Sequence, residues 1–546
     1  MGARNSHEEW DGDGADQRMD EESGGEGAAA NANANANAPA NNAPDNAAAD
    51  RPALEPRRHQ GGQRAVDILS ALDYLYRTGQ LRVMPRRGNR GDAAEPATTP
   101  TPQHPPDTTA MDRSDFKHHV MLRSGLMEPP PTDYPRGLVP LFALREFRPF
   151  RPAEKVQLMQ NHLPSVATKL MELDDKLFCG LHSLDGNILM SAGQDQRIRL
   201  FDTSKSHTVR SKFDAFRTIV ARDVGWSILD VRLSTCGRFV AYGSWSDAVH
   251  VASVHSDSVH VAVPLNPGQP STCGVFSLMF SHDDQEILCG VNQGDIYVCN
   301  LTGRSQCIVA HQEDVNCVAF ADHSSQILYS AGDDGIIKVW DRRTLSESRP
   351  RPCGYFVGHK HGITFLDPHF DGRHVLSNGK DQCIKLWDLR AFSPQEGLEE
   401  ARKAVNENQW DYRYRSRRPM CTRRLRHDTS IMTYTGHVVS QTLIRARFSP
   451  FDSTASRYIV TGDATGMVYI FDSLSGEIIK RLRHHDSVVR DVSWHPVRPE
   501  IVSTSWDGCQ TMWTCGGEED EEMLTDDDDT MRGQLSSDPS DSEESG

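Results

Sequence analysis

The chain has 546 residues, of which 25% are charged, and its formal net charge is −17 at pH 7. The negative charge is concentrated at the ends, because residues 1–50 carry eleven acidic residues against two arginines and residues 518–546 carry thirteen against one. The body between them is close to neutral, so direct binding of nucleic acid through a large positive surface is not expected. No apolar run approaches the roughly 18 residues of a membrane-spanning helix, so no membrane partner is expected either.

All twelve cysteines fall between Cys179 and Cys515, at strand-like positions and without a C-x-x-C pair. A secreted disulfide framework would show closer pairing behind a signal peptide, and the sequence shows neither pattern. Reduced thiols in the cytoplasm, the nucleus or both are therefore expected.

Composition predicts disorder at both ends of the chain. Residues 1–62 and 516–546 are acidic and low in complexity, with too few apolar side chains to offset the entropy lost on folding. Both are interpreted as disordered acidic tails. Residues 91–159 are rich in proline and are interpreted as a linker.

One short ordered element is predicted between the N-terminal tail and the linker. Within residues 63–90, apolar side chains recur at three- and four-residue steps, which indicates an amphipathic helix. The members of this apolar face include Leu69, Leu72, Leu75 and Tyr76. The face packs either on the body of the same chain or in the groove of a partner, and the spacing leaves both open.

The body of the chain repeats a pattern of four side chains. In three copies a histidine is followed at nearly fixed spacing by a serine, an aspartate and a tryptophan. The three sets are His311, Ser330, Asp334 and Trp340; His359, Ser377, Asp381 and Trp387; and His485, Ser503, Asp507 and Trp513. In a WD-repeat blade these side chains form a hydrogen-bonded tetrad that rigidifies the blade, so they are interpreted as structural and not as metal ligands or bases.

Four further copies keep the position of the pattern but have lost part of it. The tryptophan position falls at residues 201, 253, 299, 340, 387, 471 and 513, and most steps are close to the 40–45 residues of a four-stranded propeller blade. One blade cannot bury both of its faces, so seven must close into a ring. We predict an all-β, seven-bladed WD-repeat β-propeller over residues 160–515, with disordered acidic N- and C-terminal tails and a short N-terminal amphipathic helix.

The regular spacing fails at two places. The last repeat ends at its third strand, so a segment N-terminal to Cys179 is predicted to supply the missing edge strand. The step from 387 to 471 is twice the usual length, and residues 391–434 are interpreted as an insertion at a blade junction and not as an eighth blade. The insertion resembles a helix followed by a basic stretch, with nine lysines and arginines over residues 402–426.

A propeller is compatible with a scaffold that binds proteins and with an enzyme that has a site in its funnel. The sequence contains no G-x-S-x-G, H-E-x-x-H or G-x-x-x-x-G-K-[ST] motif, and no carboxylate pair or metal-ligand set stands apart from the tetrads. We therefore predict no catalytic residue, no metal site and no cofactor.

Two consecutive repeats end in the same short motif. Residues 336–343 read IIKVWDRR and residues 384–390 read IKLWDLR. Both resemble the WDxR signature of the substrate receptors that load onto cullin-4 ubiquitin ligases. The signature residues are Asp341, Arg343, Asp388 and Arg390. An arginine just past a third strand points out from one rim, where its planar fork can bind carboxylates or carbonyl groups of a partner.

This resemblance implies a non-catalytic substrate-recognition subunit of a cullin-4 RING E3 ubiquitin ligase. Its implied partners are the damaged-DNA-binding adaptor protein, cullin-4 and protein substrates that are ubiquitinated for proteasomal degradation. The WDxR rim and the predicted N-terminal helix would face the adaptor, and the opposite rim would face the substrate. The alternative is a WD-repeat scaffold for chromatin or RNA-processing complexes, in which these arginines are ordinary surface residues.

Overall fold

The computed structural model describes residues 105–127, 151–204, 213–266, 273–345, 349–369, 371–407 and 424–515. The predicted tails over 1–62 and 516–546, and the predicted helix within 63–90, lie outside these residues. Within the described part of the chain no helix is long and apolar enough to cross a membrane.

Seven antiparallel sheets of four strands each build the propeller. Blades 1 and 2 contain β2 Leu177–His182, β3 Ile188–Gly193, β4 Arg197–Asp202, β5 Arg217–Val220, β6 Asp230–Leu233, β7 Phe239–Gly243, β8 Ala248–Ser253 and β9 His260–Pro264. Blades 3 and 4 contain β10 Val275–Phe280, β11 Glu286–Val291, β12 Asp295–Asn300, β13 Ser305–Val309, β14 Val315–Phe320, β15 Ile327–Gly332, β16 Ile336–Asp341 and β17 Gly354–Val357. A short 3-10 helix, Asn292–Gly294, connects β11 to β12.

The remaining three blades follow the same order. Blades 5 and 6 contain β18 Ile363–His369, β19 His374–Gly379, β20 Cys383–Asp388, β21 Met432–Thr435, β22 Ala446–Phe448, β23 Tyr458–Gly462, β24 Met467–Asp472 and β25 Ile478–Arg483. Blade 7 contains β26 Val489–Trp494, β27 Ile501–Ser505, β28 Cys509–Thr514 and, from the other end of the chain, β1 Val166–Glu172. The seven-bladed fold predicted from the repeats is confirmed.

The ring is closed by a strand from before the first blade. β1 pairs antiparallel with β28, with Val166 opposite Thr514 and Glu172 opposite Cys509. The predicted edge strand is therefore confirmed. The first blade then packs on the last through their inner strands, where the backbone N–H of His182 donates to Ser493 Oγ at 3.1 Å.

The strand order defines two rims of the ring. Connections from the first to the second strand and from the third to the outer strand lie at one end, here called the lower rim. Connections from the second to the third strand and between blades lie at the other end, the upper rim. Because the WDxR arginines follow the third strands β16 and β20, they belong to the lower rim.

Apolar clusters lie between neighbouring sheets and hold the blades together. One cluster joins Tyr329 and Val339 of blade 4 to Ile363, Phe365 and Trp387 of blade 5, all of them buried. Strands such as β14 are buried along their whole length, since both faces of the sheet are covered by neighbouring blades.

Buried ion pairs form a second kind of contact between blades. They join the inner strands, or the residues next to them, of blades 2, 6 and 7. The Arg445 guanidinium donates to Asp230 Oδ1 at 2.7 Å and to Asp491 Oδ2 at 2.9 Å, and Arg447 Nη2 donates to Asp491 Oδ1 at 3.0 Å. Both aspartates are fully buried. Burial alone would raise the pKa of Asp491, but Arg447 and Arg445 outweigh it and lower that pKa to about 2.

The proline-rich linker prediction is wrong over part of its range. Three helices lie within 91–159 or at its end: α1 Thr109–Asp112, α2 Asp115–Ser124 and α3 Pro152–Asn161. Met111, Phe116 and Val120 are buried in a cluster with blades 5 and 6. The helices are ordered because they cover apolar surface of the propeller, which the composition of the linker did not reveal.

The predicted insertion, residues 391–434, overlaps the segment between β20 and β21, and its place in the fold differs from the expected blade junction. It connects β20 to the outer strand β21 inside blade 5 and does not lie at a blade junction. Its predicted helix is present as α4 Glu396–Glu407, and most of the basic stretch lies in residues 408–423, outside the described residues. The returning chain is anchored by a buried ion pair between Lys385 Nζ and Asp428 Oδ2 at 2.7 Å.

The insertion begins and ends at the lower rim, and its helix extends to the upper rim. It leaves β20 at the lower rim and passes blade 4, where the backbone N–H of Ser393 donates to the carbonyl of Tyr355. Near the C-terminal end of α4, Val405 lies against Gly335. This glycine is in the turn between β15 and β16, on the upper rim. Gly335 has φ of 71°, and a Cβ there would come within 2.9 Å of Val405 Cγ2.

Buried histidines should make the fold sensitive to acid. Burial lowers the pKa of His437 to about 4 from its ordinary 6.5, while its Nε2 lies 3.0 Å from Asn378 Oδ1. Because the pKa is lower in the folded than in the unfolded protein, the contribution of neutral His437 to stability is complete above pH 6.5 and is lost as the pH falls toward 4. Between pH 6.5 and 5 we expect His437 to account for a loss of about 2 kcal/mol of unfolding free energy. Urea unfolding of wild type and His437→Gln at both pH values measures this, and equal losses in the two proteins would contradict it.

Candidate docking surface

The three complete tetrads are hydrogen-bonded as single units. His311 Nδ1 donates to Asp334 Oδ2 at 2.8 Å, Ser330 Oγ lies 2.7 Å from His311 Nε2, and Trp340 Nε1 donates to Ser330 Oγ at 2.9 Å. The other two sets, His359, Ser377, Asp381 and Trp387 and His485, Ser503, Asp507 and Trp513, repeat these contacts.

The polar side chains of each tetrad hydrogen-bond to one another. Burial alone would raise the pKa of Asp507, but hydrogen bonds from His485 and from the backbone N–H of Cys509 outweigh it and lower that pKa to about 2. Both ring nitrogens of each tetrad histidine have a partner, so neither is available to a metal or a substrate. These residues set the shape of the surface and do not act on a ligand.

Arg343 is presented outward by its own signature aspartate. Arg343 Nε donates to Asp341 Oδ1 at 2.9 Å and Nη2 donates to Asp341 Oδ2 at 2.6 Å, and the side chain is 68% exposed. The preceding Arg342 turns inward instead and pairs with Glu286 of the neighbouring blade. Of the two arginines in the WDRR sequence, only Arg343 is therefore presented on the lower rim.

Arg390 occupies the same position on the next blade with a different partner. The Asp388 carboxylate accepts from Arg373 Nε at 2.9 Å and Nη2 at 2.6 Å, so the Arg390 side chain reaches past it to Asp115. Asp115 lies in α2 and also accepts from Arg373 Nη1 at 2.7 Å. Arg390 remains 61% exposed, and an exposed ion pair of this kind contributes little, so the arginine can exchange Asp115 for a partner's carboxylate.

Helix α2 is held on this rim by more than the ion pair. Phe116 packs edge-on against His369 and His374, at ring-centroid distances of 5.7 and 5.2 Å. At the other end of the helix, Arg123 Nη2 donates to Asp452 at 3.2 Å, and its guanidinium lies 4.9 Å from the Phe451 ring centroid. Phe451 begins α5 Phe451–Thr454, so α2 spans blades 5 and 6.

The last turn of α2 and the residues that follow it leave apolar side chains in solvent. Leu122, Leu126 and Met127 are 60%, 46% and 47% exposed. Exposed apolar groups on the same rim as exposed arginines are typical of a protein interface. The sequence reasoning missed this helix, although its signals are present: Ser114 caps its start by accepting from Lys117 N, and Gly125 ends it at φ of 71°.

The structure thus brings Asp341, Arg343, Asp388 and Arg390 to one rim of two neighbouring blades. The other predicted docking residues, Leu69, Leu72, Leu75 and Tyr76, lie outside the described residues. A role in docking for either group stays a prediction.

One side-chain group among the described residues has the composition of a metal site. His369 Nδ1 and His374 Nδ1 lie 2.9 and 2.6 Å from Asp371 Oδ2. Asp371 Oδ1 accepts the backbone N–H groups of Arg373 and His374. Burial would raise the pKa of Asp371, but the hydrogen bonds from both histidines outweigh it and lower the pKa far below its ordinary value. Hydrogen bonding accounts for these contacts, and the group fixes the loop on which Phe116 packs.

Comparison with known proteins identifies repeats in the same part of the chain as the complete tetrads. The family model described as "WD domain, G-beta repeat" matches residues 303–341, 350–388 and 476–509, which lie in or overlap the three blades with complete tetrads. Among relatives, the "DDB1- and CUL4-associated factor 11 homolog" of Caenorhabditis elegans is 40% identical over 373 residues, which cover 66% of this chain and 65% of the relative. The homolog of the same name in Caenorhabditis briggsae is 37% identical over 66% of this chain and 67% of the relative.

The chain belongs to the DDB1- and CUL4-associated factor family of WD-repeat proteins. The resemblance predicted from the paired WDxR motifs is confirmed, and it is to the eleventh of these factors, WD repeat-containing protein 23. The "LEC14B protein" of Lithospermum erythrorhizon is also similar, at 36% identity over 68% of this chain and 80% of the relative. The match with the C. elegans factor spans somewhat less than two thirds of that protein's length.

Proposed function

We propose that this chain is the substrate-recognition subunit of a cullin-4 RING ubiquitin ligase and that its lower rim docks on DDB1, the damaged-DNA-binding adaptor. The observation that carries the proposal is the placement of Arg343 and Arg390. Both are well exposed, both follow the third strand of neighbouring blades, and both lie at the same rim. The names of the related proteins, which refer to DDB1 and CUL4, support it.

The lower rim combines the two features that a protein interface needs. The guanidinium forks of Arg343 and Arg390 supply directional hydrogen bonds, and the exposed apolar side chains Leu122 of α2 and Leu126 and Met127 just after it supply surface to bury. Asp115 links the two features because it contacts Arg390 from the start of α2. We infer that the adaptor contacts α2 and the arginines together.

In this role the chain is not an enzyme. A substrate bound at the upper rim would be held near the ubiquitin-conjugating enzyme that the ligase recruits, so that transfer becomes effectively intramolecular. The compartment proposed for this role is the cytoplasm, the nucleus or both, because the twelve cysteines are scattered along the sequence without a C-x-x-C pair.

The test is the affinity of purified DDB1 for the full chain and for the Arg343→Ala/Arg390→Ala double variant, measured by isothermal titration calorimetry. Each exposed arginine at the centre of an interface is expected to contribute about tenfold or more to affinity, so the double variant should bind at least about a hundredfold more weakly. Both side chains are exposed, so the melting temperature should not change.

Arg342→Ala is the matched control, because it removes an arginine from the same WDRR sequence. The Arg342 side chain pairs with Glu286 and is only 21% exposed, so this variant should bind DDB1 as the wild type does. If the double variant binds DDB1 with wild-type affinity, or if the wild type does not bind it, the second candidate function remains. That candidate is a WD-repeat scaffold outside ubiquitin ligation, in chromatin or RNA processing.

A further inference from the structure

Three tryptophans lie together on the upper rim, opposite the signature arginines. Trp226 is in the connection from blade 1 to blade 2, Trp245 is in the turn between β7 and β8, and Trp506 is in the turn between β27 and β28. Trp226 and Trp245 are 38% and 42% exposed, which is unusual for side chains of this size. We call these three residues the tryptophan face.

Neighbouring aromatic side chains pack against each of the three tryptophans. Buried Phe178 lies between two of them, with ring-centroid distances of 5.4 Å to Trp226 and 5.7 Å to Trp506. Trp245 packs edge-on against Phe276 at 5.4 Å. Aromatic side chains of blades 7, 1, 2 and 3 therefore lie on the same rim in two contacting groups, and Gly225, the residue before Trp226, approaches Trp245.

The exposed rings are also fixed in place. A Cβ at Gly225 would come within 2.6 Å of the Trp245 carbonyl oxygen, and a Cβ at Gly274 would come within 2.8 Å of the Trp245 ring. Both backbones thus approach Trp245 closely enough that only glycine fits without a shift. Rigid, partly exposed aromatic side chains lose little entropy on binding, which is why they dominate protein recognition.

The tryptophan face already holds a cation of this chain. Lys176 Nζ lies 4.1 Å from the centroid of the Trp506 ring, within the range of a cation–π contact. The Nε1 atom of the same tryptophan is buried and has no hydrogen-bond partner among the described residues. The face therefore attracts positive charge through its rings, and Trp226 and Trp245 offer the same chemistry with more of their surface in solvent.

Acidic side chains surround the tryptophan face and outnumber the basic ones. They lie in the connections that carry the tryptophans and in the adjoining connections from β1 to β2 and from β25 to β26. The acidic members are Asp174, Asp175, Asp223, Asp247, Asp486 and the tetrad residue Asp507, and the basic members are Lys176 and Arg222. A partner segment with a positive charge is favoured here by both the rings and the surrounding potential.

We propose that the tryptophan face binds an extended segment of a partner protein in which arginine or lysine stands beside a large apolar side chain. The apolar side chain covers Trp226 and Trp245, and the cation lies over an exposed ring beside the acidic border. This surface goes beyond the ligase proposal, because it would bind the same kind of segment in a scaffold outside ubiquitin ligation. If the chain is a ligase receptor, this segment is the part of the substrate that it recognises.

The probe is a fluorescein-labelled synthetic peptide of alternating arginine and leucine, and its binding to the full chain is followed by fluorescence anisotropy at physiological salt. Trp226→Ala/Trp245→Ala is expected to weaken binding by about tenfold or more, and Trp226→Phe/Trp245→Phe is expected to restore most of it. A peptide of alternating glutamate and leucine should not bind, and one of alternating arginine and serine should bind more weakly than the probe.

Leu184→Ala is the control variant, because it removes a 70% exposed apolar side chain from the lower rim and should leave the probe's affinity unchanged. The acidic ends of the chain could also attract the probe, but they are identical in every variant. Equal binding by the wild type and the Trp226→Ala/Trp245→Ala variant would overturn the proposal, and so would no binding of the probe at millimolar concentration. The same alanine variant should bind DDB1 normally, whereas Arg343→Ala/Arg390→Ala should bind the probe normally, so a failure of one proposal is distinguishable from a failure of the other.

Discussion

Asp491→Ala is expected to reduce the free energy of unfolding by about 3–5 kcal/mol, because it leaves buried positive charge without its partner. In the native protein the fully buried Asp491 carboxylate accepts from both Arg445 and Arg447, and its Oδ2 also accepts the backbone N–H of Gly180 at 3.3 Å. Without it, Arg445 keeps Asp230 as an anionic partner. Urea unfolding at pH 7, followed by circular dichroism, measures the loss.

The control for this prediction is Asp452→Ala, which removes an aspartate that also pairs with an arginine but is exposed. The Asp452 side chain is 88% exposed and lies 3.2 Å from Arg123, so its loss should change stability by less than about 1 kcal/mol. A similarly small loss for Asp491→Ala would contradict the prediction.

Removal of β1 is expected to abolish cooperative folding of the propeller. A variant that begins at residue 175 lacks the outer strand of blade 7, so β28 would present an unpaired edge and the ring would not close. We expect this variant to aggregate or to unfold without a cooperative transition in a calorimetric scan.

A variant that begins at residue 162 separates this effect from the loss of the helices. It lacks α1, α2 and α3 but retains β1, and the two variants differ only by residues 162–174. The longer variant should unfold cooperatively at a somewhat lower temperature than the full chain, since it exposes the apolar surface that α2 covers. Cooperative unfolding of both variants would show that blade 7 closes the ring with three strands.

The regular part of the fold could be predicted from the sequence because each blade is coded locally. A tetrad such as His359, Ser377, Asp381 and Trp387 falls within about thirty residues, and its spacing indicates strands, turns and burial together. The edge strand followed from the same regularity, since a final repeat that stops at its third strand requires a fourth from elsewhere. The WDxR motifs were visible for the same reason.

The contacts missed by the sequence reasoning join residues that are far apart in the chain. Arg390 meets Asp115 across 275 positions, and Arg445 meets Asp230 across 215. No local spacing reveals such pairs. Helix α2 was missed because proline-rich neighbours dominated the composition of the segment, although Phe116 and Val120 lie four residues apart on its buried face. The choice between Arg342 and Arg343 likewise depended on Glu286, a residue of another blade.

Closure of the ring by β1 has a consequence for how the protein is made. Since β1 precedes all the blades and β28 ends the last one, nearly the whole propeller must be synthesised before the two strands can pair. At about 5–20 residues per second, the roughly 340 residues between them take about 20–70 seconds to translate. Throughout that time β1 has an unpaired edge. The nascent chain therefore passes through a long interval in which the ring of blades is open and the last sheet is incomplete. During this interval the unpaired edge of β1 must be kept from pairing with other unfolded chains.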